Sequence, residues 1–402
     1  MTGTRKRFGP GAMIAAAFIG PGTVTTAALA GGNFGFTLLW AVGFSVLATL
    51  LLQEMTARLG TVAQVGLGEA IAQRTGGGPF KWPAAVLVIS AIVIGNAAYE
   101  AGNITGAAAG LPPLLWGETN LWGLVIGALA FTVLTTGKMQ RIEAVLVLLV
   151  ACMALVFVGT ALALTPDLNG VFRGLFTPTI PEQSGLLILG IIGTTVVPYN
   201  LFLHASALKQ RAADGFSLAA AQRDVALSII GGGVITLCIA ITAAVVLHDT
   251  GQEVRSLSQL APTLTPLLGD ASGALLTLGF FAAGLSSAIT APLAAAFAVT
   301  EVLAVQAQRR ATLFRWTWRL VLGFGICVAS LDLRPIELIV FAQFANGVLL
   351  PITAAFIVWI CNDRGLLGEH TNSLFHNVGG LFVLAVTVAL GARSVLLATG
   401  WL

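Results

Sequence analysis

Long apolar runs dominate this sequence and limit the folds that it can adopt. A helix that crosses a bilayer needs about 20 mainly apolar residues, and eleven stretches approach or exceed this length. They lie at 11–32, 34–57, 83–111, 119–137, 142–165, 185–208, 225–248, 272–303, 317–333, 336–361 and 372–391. Each run is continuous, whereas strands of a membrane barrel alternate apolar and polar residues over about ten positions. We therefore predict an all-α, multi-pass membrane protein with a single domain over residues 1–402.

The charge content agrees with this class and excludes several others. The chain carries 20 basic and 17 acidic residues among 402, whereas a soluble domain has about 25% charged residues. A soluble enzyme could not cover its surface with so few charges, and a net charge of +3 does not favour nucleic-acid binding. No cofactor and no protein partner can be inferred, so the lipid bilayer is the predicted environment. We expect the cysteines to be small, buried apolar side chains without a disulfide or zinc site; they are Cys152, Cys238, Cys327 and Cys361.

The basic residues predict how the chain lies in the membrane. If the N-terminus is cytoplasmic, the outside segments carry only Arg173, Arg255, Arg334 and Arg393, and the other 16 of the 20 basic residues lie inside. This is the distribution that membrane proteins favour, because cytoplasmic loops carry an excess of Lys and Arg. With eleven spans the C-terminus then lies outside, and we expect the protein in the cell (inner) membrane.

Two of the predicted spans contain residues that interrupt a helix. Pro21 and Gly22 lie in the middle of the first span, and Pro198 lies in the middle of the sixth. Proline removes a backbone donor, and glycine is a poor helix former. Non-helical backbone at this depth is tolerated only where protein or a water-filled cavity covers it. Either proline alone is compatible with a simple kink, but the pair favours the substrate site of a transporter.

The positions of these interruptions also predict an internal repeat. Each falls in the first helix of a five-helix half, so repeat one covers about 11–165 and repeat two about 185–361. The stretch at 372–391 is then an additional helix. Inverted repeats of this kind are typical of secondary transporters, which bind their substrate near the middle of the bilayer and open to each side in turn.

The motifs around the interruptions resemble those of the Nramp (natural resistance-associated macrophage protein) family of metal-ion transporters. That family reads GPA, DPGN and GG-x-x-Y-G-Y-x-L-L-W near its start, and S-A-x-L-G at the end of helix two. It reads M-P-H-N-x-x-L-H-S-x-L in helix six and G-Q-S-S-T-x-T in helix eight. The similar stretches here are 9–11, 20–23, 31–40, 56–60, 197–208, 284–290 and, by the spacing of helix ten, 343–351. The resemblance implies a LeuT-type fold of five plus five inverted helices with an eleventh helix added.

The resemblance also implies a metal site, but its ligand positions are changed in this chain. The family's ligands are the Asp and Asn of DPGN, the Met of helix six and a helix-six carbonyl. They correspond to Gly20, Thr23, Val197 and the carbonyl of Thr194. Hard cations favour carboxylate oxygens, and softer transition metals favour thioethers. A divalent cation would meet only uncharged oxygens of Gly20, Thr23 and Thr194, so we expect weak affinity.

Other polar residues at membrane depth complete the candidate substrate route. Asn200 follows the sixth-span interruption, and Gln343 and Asn346 lie in the tenth span. Such residues either line a pathway or bond one helix to another. Glu54 and Glu301 lie near span ends, where we expect solvated, interfacial side chains.

Candidate proton carriers lie in the third and sixth spans. Glu100 is deep in an apolar run that also holds Asn103, and an acid within the membrane is a functional candidate by default. The resemblance places the family's proton route in the same helix. Glu100 is therefore interpreted as a proton carrier or a substitute cation ligand, or alternatively as a neutral acid bonded between helices. His204 suits a proton relay, although a lone histidine on an apolar helix is often a satisfied core residue.

Three functions are compatible with these features. The first is an Nramp-like, proton-coupled secondary transporter of a divalent cation of the Mn or Mg type. The second is a transporter of the same fold for a small organic acid or amino acid, because free amides at half-helix N-termini suit a carboxylate. The third, a membrane sensor that does not transport, ranks last.

Overall fold

The structure is almost entirely helical. It is a computed structural model that describes residues 19–76, 78–112, 121–136, 139–248, 254, 256–331 and 333–398. The longer helices of the first half are α1 (Pro21–Phe34), α2 (Leu39–Arg58), α3 (Leu67–Thr75), α4 (Lys81–Ala108), α5 (Leu121–Thr136), α6 (Met139–Ala163) and α7 (Leu168–Phe176). Those of the second half are α8 (Gly185–Thr195), α9 (Pro198–Ala212), α10 (Leu218–Leu247), α11 (Ser272–Val302), α12 (Ala307–Ala329), α13 (Pro335–Ile360) and α14 (Leu374–Ala398). Shorter helical segments lie between them at Leu59–Ala63, Leu257–Leu264, Thr265–Leu268, Gly269–Ala271, Arg364–Leu367 and Gly368–His370.

The predicted class is confirmed. Within the described ranges the secondary structure is helical and contains no strand, and eight segments are long and apolar enough to cross a membrane. A described helix overlaps each of the eleven predicted spans, and the count of eleven spanning helices stays a prediction. The motif at 9–11 and the first eight residues of the first predicted span lie outside the described residues.

Two helix starts differ from the sequence prediction for local reasons. α2 begins at Leu39, not at 34, because Gly35 adopts φ 57° and ends α1 before the chain turns. Glycine reaches this left-handed region at little steric cost. α12 begins at Ala307, ten residues before the predicted 317. Its early turns are rich in arginine and alanine, which are good helix formers but lower the hydropathy on which the prediction relied.

Small residues bring the helices of the centre together. α4 packs against α11, α12 and α13, while α8 lies against both α1 and α13. At the α8–α13 crossing a Cβ on Gly193 would lie 2.5 Å from the backbone nitrogen of Gly347, and one on Gly347 would lie 2.6 Å from the carbonyl oxygen of Leu189. Close backbone approach of this kind is how membrane helices associate.

The outer surface is apolar, as lipid contact requires. Large apolar side chains such as Leu155 and Phe375 are exposed there. The expectation of four buried cysteines is wrong for Cys152 and Cys327, which are exposed, whereas Cys238 is half-buried and Cys361 is buried. Periodicity in an almost uniformly apolar helix does not tell which face meets its neighbours, so burial could not be assigned.

Candidate functional site

The sixth predicted span is broken at its centre. α8 ends at Thr195, and α9 begins at Pro198, with Val196 and Val197 in extended or irregular conformation between them. In a continuous helix the carbonyl of Thr194 would accept a hydrogen bond from the residue four positions on. That residue is Pro198, which has no N–H. α8 and α9 are therefore separate helices, and the Thr194 carbonyl lacks its helical partner.

In the first predicted span, α1 begins at the predicted position of the interruption. Gly20 has extended φ and ψ of −84° and 172°, and Pro21 is the first helical residue. The carbonyl of Gly20 accepts from the amide of Val24 at 3.2 Å. The amides of Gly22 and Thr23 lie in the first turn of α1, where no intrahelical acceptor exists. All of these residues are buried.

The two interruptions meet. The hydroxyl oxygens of Thr23 in α1 and Thr194 in α8 lie 2.8 Å apart, and both side chains are buried. α1 packs along α8 at this level, with Thr26 Cγ2 3.2 Å from the position of a Cβ on Gly190. Residues 171 positions apart in sequence thus form one polar contact at the two helix breaks. This juxtaposition is what the transporter hypothesis required.

Gln343 in α13 closes a third side of this contact. The Gln343 side chain packs tightly on Gly22 of α1, because a Cβ added to Gly22 would lie 3.0 Å from Gln343 Cγ. It also lies near Gly190 of α8, where an added Cβ would be 3.8 Å from Gln343 Cβ. Asn346, one turn on, places Oδ1 3.1 Å from where a Cβ on Gly95 of α4 would be. Gln343 Oε1 and Asn346 Nδ2 are buried without a hydrogen-bond partner among the described residues. Both predicted polar residues therefore present unused groups in the centre of the molecule.

A tyrosine pair that the sequence analysis missed lies beside the α8–α9 break. Tyr99 of α4 and Tyr199 of α9 are fully buried, with ring centroids 5.4 Å apart and a tilt of 60° between their planes. Val197 packs with them and with Ala291 and Ala294 of α11. Neither tyrosine hydroxyl has a hydrogen-bond partner within the described part of the chain. The available signal in the sequence was the presence of tyrosine in two apolar helices, because a buried tyrosine usually needs a partner for its hydroxyl.

The donor set at the breaks is made of uncharged oxygens. Thr23 and Thr194 offer hydroxyls, Thr194 also offers its carbonyl, and Asn200 is buried in the first turn of α9. Among the described residues no group of three or more His, Cys, Asp or Glu side chains is placed to hold a metal ion. The C-terminal end of α8 carries partial negative charge, whereas the N-terminal ends of α1 and α9 carry partial positive charge. The breaks therefore bring dipoles of both signs to a centre without formal charge.

Glu100 lies next to this centre. Its side chain is completely buried and packs on α12, where a Cβ on Gly325 would lie 3.0 Å from Glu100 Cβ. Neither carboxyl oxygen has a well-formed hydrogen-bond partner among the described residues, although the Asn103 side chain lies close enough to interact with the carboxyl. The carboxyl lies close enough to both tyrosine hydroxyls to interact with them electrostatically.

His204 lies on another side of α9. It is buried, its Nδ1 is 3.2 Å from the hydroxyl of Thr56 in α2, and its Nε2 has no partner in the described structure. The Thr56 hydroxyl also donates to the carbonyl of Gln53, so it can accept from, but not readily donate to, Nδ1. His204 and Pro198 are six residues apart, about 9 Å along the helix. The structure therefore places His204 away from the α1–α8 contact.

Comparison with known proteins identifies the family to which the chain belongs. The profile of the family described as natural resistance-associated macrophage protein-like (Nramp) matches residues 11–397. The chain belongs to the Nramp family. It is therefore a membrane transporter.

Individual relatives agree with the family match over nearly the full length. The "Divalent metal cation transporter MntH" of Aeromonas hydrophila subsp. hydrophila is 29% identical over 394 residues, which cover 96% of this chain and 94% of the relative. A mutant of the Eremococcus coleocola manganese transporter, 23% identical, superimposes with a TM-score of 0.72 over 96% of this chain and 85% of that one. Mhp1, a nucleobase-cation-symport-1 family transporter, gives 0.55 at 14% identity over 97% and 92%. These likenesses establish the LeuT-type fold.

One acid of this Nramp protein lies where the sequence analysis did not expect it. Glu301 of α11 is only 4% exposed, so the expectation of a solvated interfacial side chain is wrong. Its Oε1 accepts a hydrogen bond of 2.5 Å from the hydroxyl of Ser206 in α9. The physical reason is that α3 and α9 cover the end of α11, with Gly66 and Gly68 allowing α3 to lie directly on the carboxyl. Glu54, in contrast, is partly exposed and ion-paired with Arg58 at 3.0 Å.

Proposed function

We propose that this Nramp protein is a secondary active transporter that moves divalent metal cations by alternating access, coupled to protons. The observation that carries the proposal is the contact between Thr23 and Thr194, which joins two interrupted helices in the buried centre of the molecule. Interrupted helices that meet at mid-membrane depth are the usual construction of a substrate site in secondary transporters. The printed names of the relatives, a divalent metal cation transporter and a manganese transporter, support the choice of substrate class.

The proposed site holds its substrate weakly. Its donors are the carbonyls of Gly20 and Thr194 and the hydroxyls of Thr23 and Thr194, with Asn200, Gln343 and Asn346 as further uncharged neighbours. Gly20 has no side chain to coordinate a cation, and Val197 contributes methyl groups to the tyrosine cluster. Hard divalent cations lose much of their hydration on binding and favour carboxylate ligands in return. We therefore expect low affinity and poor selectivity between Mn²⁺ and Mg²⁺.

Glu100 is the proposed proton carrier, with Asn103 beside it and His204 as a relay on α9. A carboxyl that is completely buried without a cationic partner favours its neutral form, because desolvation penalises the charged one. A cation that arrives in the neighbouring centre reverses this preference electrostatically. Proton release from Glu100 would then accompany cation binding, and this link would couple the movement of the proton to that of the cation.

The placement in the membrane completes the proposal. We propose that the protein lies in the inner membrane with its N-terminus cytoplasmic and its C-terminus outside, as the distribution of basic residues predicts. The two inverted repeats would cover about 11–165 and 185–361, with α14 as the added helix. In this orientation α9 runs from the centre towards the cytoplasmic side.

Flux measurements test the proposal directly. Purified protein in liposomes should take up Mn²⁺ with low affinity, and the uptake should acidify the lumen, because a symporter moves the proton together with the cation. Glu100→Gln should abolish the proton movement, while Glu337→Gln should not, because Glu337 is exposed and paired with Arg334. Absence of Mn²⁺ and Mg²⁺ flux in liposomes that contain folded protein would reject the proposal, and unaltered proton movement in the Glu100 variant would reject the role of Glu100.

A second substrate class has one observation in its favour. α1 and α9 both begin with a proline, Pro21 and Pro198. The amides of Gly22 and Tyr199, which follow these prolines directly, lie in first turns, where an α-helix supplies no acceptor. Helix N-termini bind carboxylates and other anions. Without side chains in the ligand positions of Gly20 and Val197, the same fold could carry a small organic acid or amino acid.

Restoring the family's ligand residues separates the two classes. Gly20→Asp combined with Val197→Met supplies a carboxylate and a thioether, and it should raise Mn²⁺ affinity at least tenfold, or about 1.4 kcal/mol. The same variant should repel a carboxylate substrate. Thermal stabilisation of the native protein by organic acids, with none by metals, would favour the second class. Unchanged Mn²⁺ affinity in the double variant would contradict the assignment of the site.

A further inference from the structure

The buried carboxyl of Glu301 is not part of the site at the helix breaks. Its Oε1 accepts from the Ser206 hydroxyl, and its Oε2 is buried with no hydrogen-bond partner among the described residues. The residue is only 4% exposed. A buried carboxylate with one donor for two oxygens is expensive to keep ionised, so this arrangement calls for an explanation.

Glu301 lies on the same helix–helix seam as the tyrosine pair. Tyr199 of α9 and Ala294 of α11 belong to the same buried cluster near the break, and Ser206 of α9 donates a hydrogen bond to Glu301 of α11 farther along. Ser206 follows Tyr199 by seven residues in α9, and Glu301 follows Ala294 by seven residues in α11. Seven residues span about two helical turns, or about 10 Å. The two helices therefore run in the same direction, with these pairs at matching heights. The seam therefore leads from the break to Glu301 along one face of α9.

Charged groups surround Glu301 without pairing to it. Glu69 of α3, Lys209 of α9 and Arg310 of α12 all act on its carboxyl electrostatically. Lys209 and Arg310 point to Glu69, at 2.5 and 3.8 Å, and not to Glu301. The carboxyl therefore has one like charge and two opposite charges near it, and none of the three forms an ion pair with it among the described residues.

The same neighbours connect the site to solvent. Side chains of Lys209 and Arg310 are 38% and 50% exposed, and that of Glu69 is 20% exposed. The carboxyl of Glu301 itself is shielded by Gly66 and Gly68, whose missing side chains let α3 lie against it. A proton therefore needs to cross only one layer of side chains to reach bulk water.

We propose that Glu301 is a second proton-binding site, between the helix breaks and the end of α9, with Ser206 as its hydrogen-bond partner. It receives a proton on the seam side and exchanges it with water at the end formed by α3, α9 and α12, which is cytoplasmic in the proposed orientation. The ligand is a proton and not a metal ion, because the described residues here do not form a group of three metal-ligating side chains. The inference rests on the proposed proton coupling, but its test does not.

Infrared spectroscopy of the purified full-length protein in detergent tests this site without a transport assay. Solvated acids are ionised well below neutral pH, so carboxylic C=O absorption that persists near neutral pH comes from buried acids. Between about pH 5 and pH 9, a component of this absorption should titrate, and Glu301→Gln should remove it. Glu100→Gln should remove a different component. Glu337→Gln, which changes an exposed and ion-paired acid, should leave the spectrum unaltered.

A second variant guards against a misfolded Glu301→Gln protein. Ser206→Ala keeps the carboxyl but removes its hydrogen-bond donor, so the same component should remain and move in frequency. A Glu301→Gln spectrum identical to that of the native protein would mean a permanently ionised carboxylate and would overturn the proposal. A component that is lost in the variant but never titrates would mean a permanently neutral, structural acid, with the same consequence. Failure of metal or proton flux in liposomes would instead count against the proposed function.

Discussion

The contact between Thr23 and Thr194 makes a quantitative prediction about how the two helix breaks hold together. Thr23→Val and Thr194→Val each replace a hydroxyl by a methyl group of similar size, which leaves packing nearly unchanged. Each single variant removes the 2.8 Å hydrogen bond and leaves the opposite buried hydroxyl to find another partner. The double variant removes both hydroxyls, so neither threonine hydroxyl remains to be left without the other.

The expected magnitude follows from the burial of both side chains. A buried hydroxyl that loses its partner costs about 1–3 kcal/mol, but hydrogen bonds between membrane helices average about 0.6 kcal/mol and reach about 1.7 kcal/mol. We expect each single variant to lower the free energy of unfolding by about 1 kcal/mol. The double variant should lose less than the sum of the two, by about 0.5–1.5 kcal/mol. A cycle is necessary because Thr23 also takes part in another interaction.

Reversible unfolding in mixed micelles measures all four free energies. Thr242→Val serves as the matched control, because the Thr242 hydroxyl donates to Cys238 in its own helix and does not bridge the breaks. Combined with Thr23→Val, it should give additive losses. Distant substitutions add within about 0.3–0.5 kcal/mol, so a coupling below that limit between Thr23 and Thr194 would refute the meeting of the two interruptions. The transporter interpretation would lose its central observation with it.

Two further substitutions test the packing around the site. Gly193→Ala should destabilise the protein by about 1–3 kcal/mol, because the added methyl group meets backbone atoms of α13. Its control, Gly323→Ala, has no atom within 4 Å of the new methyl group and should be neutral or stabilising by up to about 1 kcal/mol. Arg58→Ala should lower the free energy of unfolding by about 3 kcal/mol, because the buried guanidinium of Arg58 holds α2 to the turn before α14. Its control, Arg334→Ala on the surface, should change the free energy of unfolding by less than about 1 kcal/mol. Chemical denaturation resolves both pairs, and equal effects within a pair would contradict the packing described.

The helix breaks were predictable from sequence because proline acts through the backbone alone. Pro198 lacks an N–H whatever surrounds it, so the interruption after Thr195 is a local property of the chain. The contact between the two breaks is not local. It became predictable only through the symmetry of a repeat, which places the first helix of each half at corresponding positions.

The burial of Glu301 at the proposed proton site was not predictable, because it depends on residues far away in the sequence. Distance from the end of an apolar run says how deep a residue lies along the membrane normal, but not which neighbour covers it. Glu301 is buried because Gly66 and Gly68 admit α3 to its carboxyl, and these glycines are more than 230 positions away in the chain. The tyrosine pair escaped for a similar reason, since two apolar helices carry few cues to their mutual rotation.

These differences explain how the chain can form the Nramp fold with glycine, and not an acid, at position 20. The breaks are encoded by Pro21, Gly22 and Pro198, none of which needs to touch a substrate. A side chain at position 20 can therefore change without closing the break, and an ionised carboxylate there would itself be costly to bury in the empty site. With glycine at position 20, the completely buried Glu100 is a deep acid of the described centre. In the proposed transport of a divalent cation, deprotonation of Glu100 would balance the charge of the cation and would tie coupling to a residue outside the ligand set.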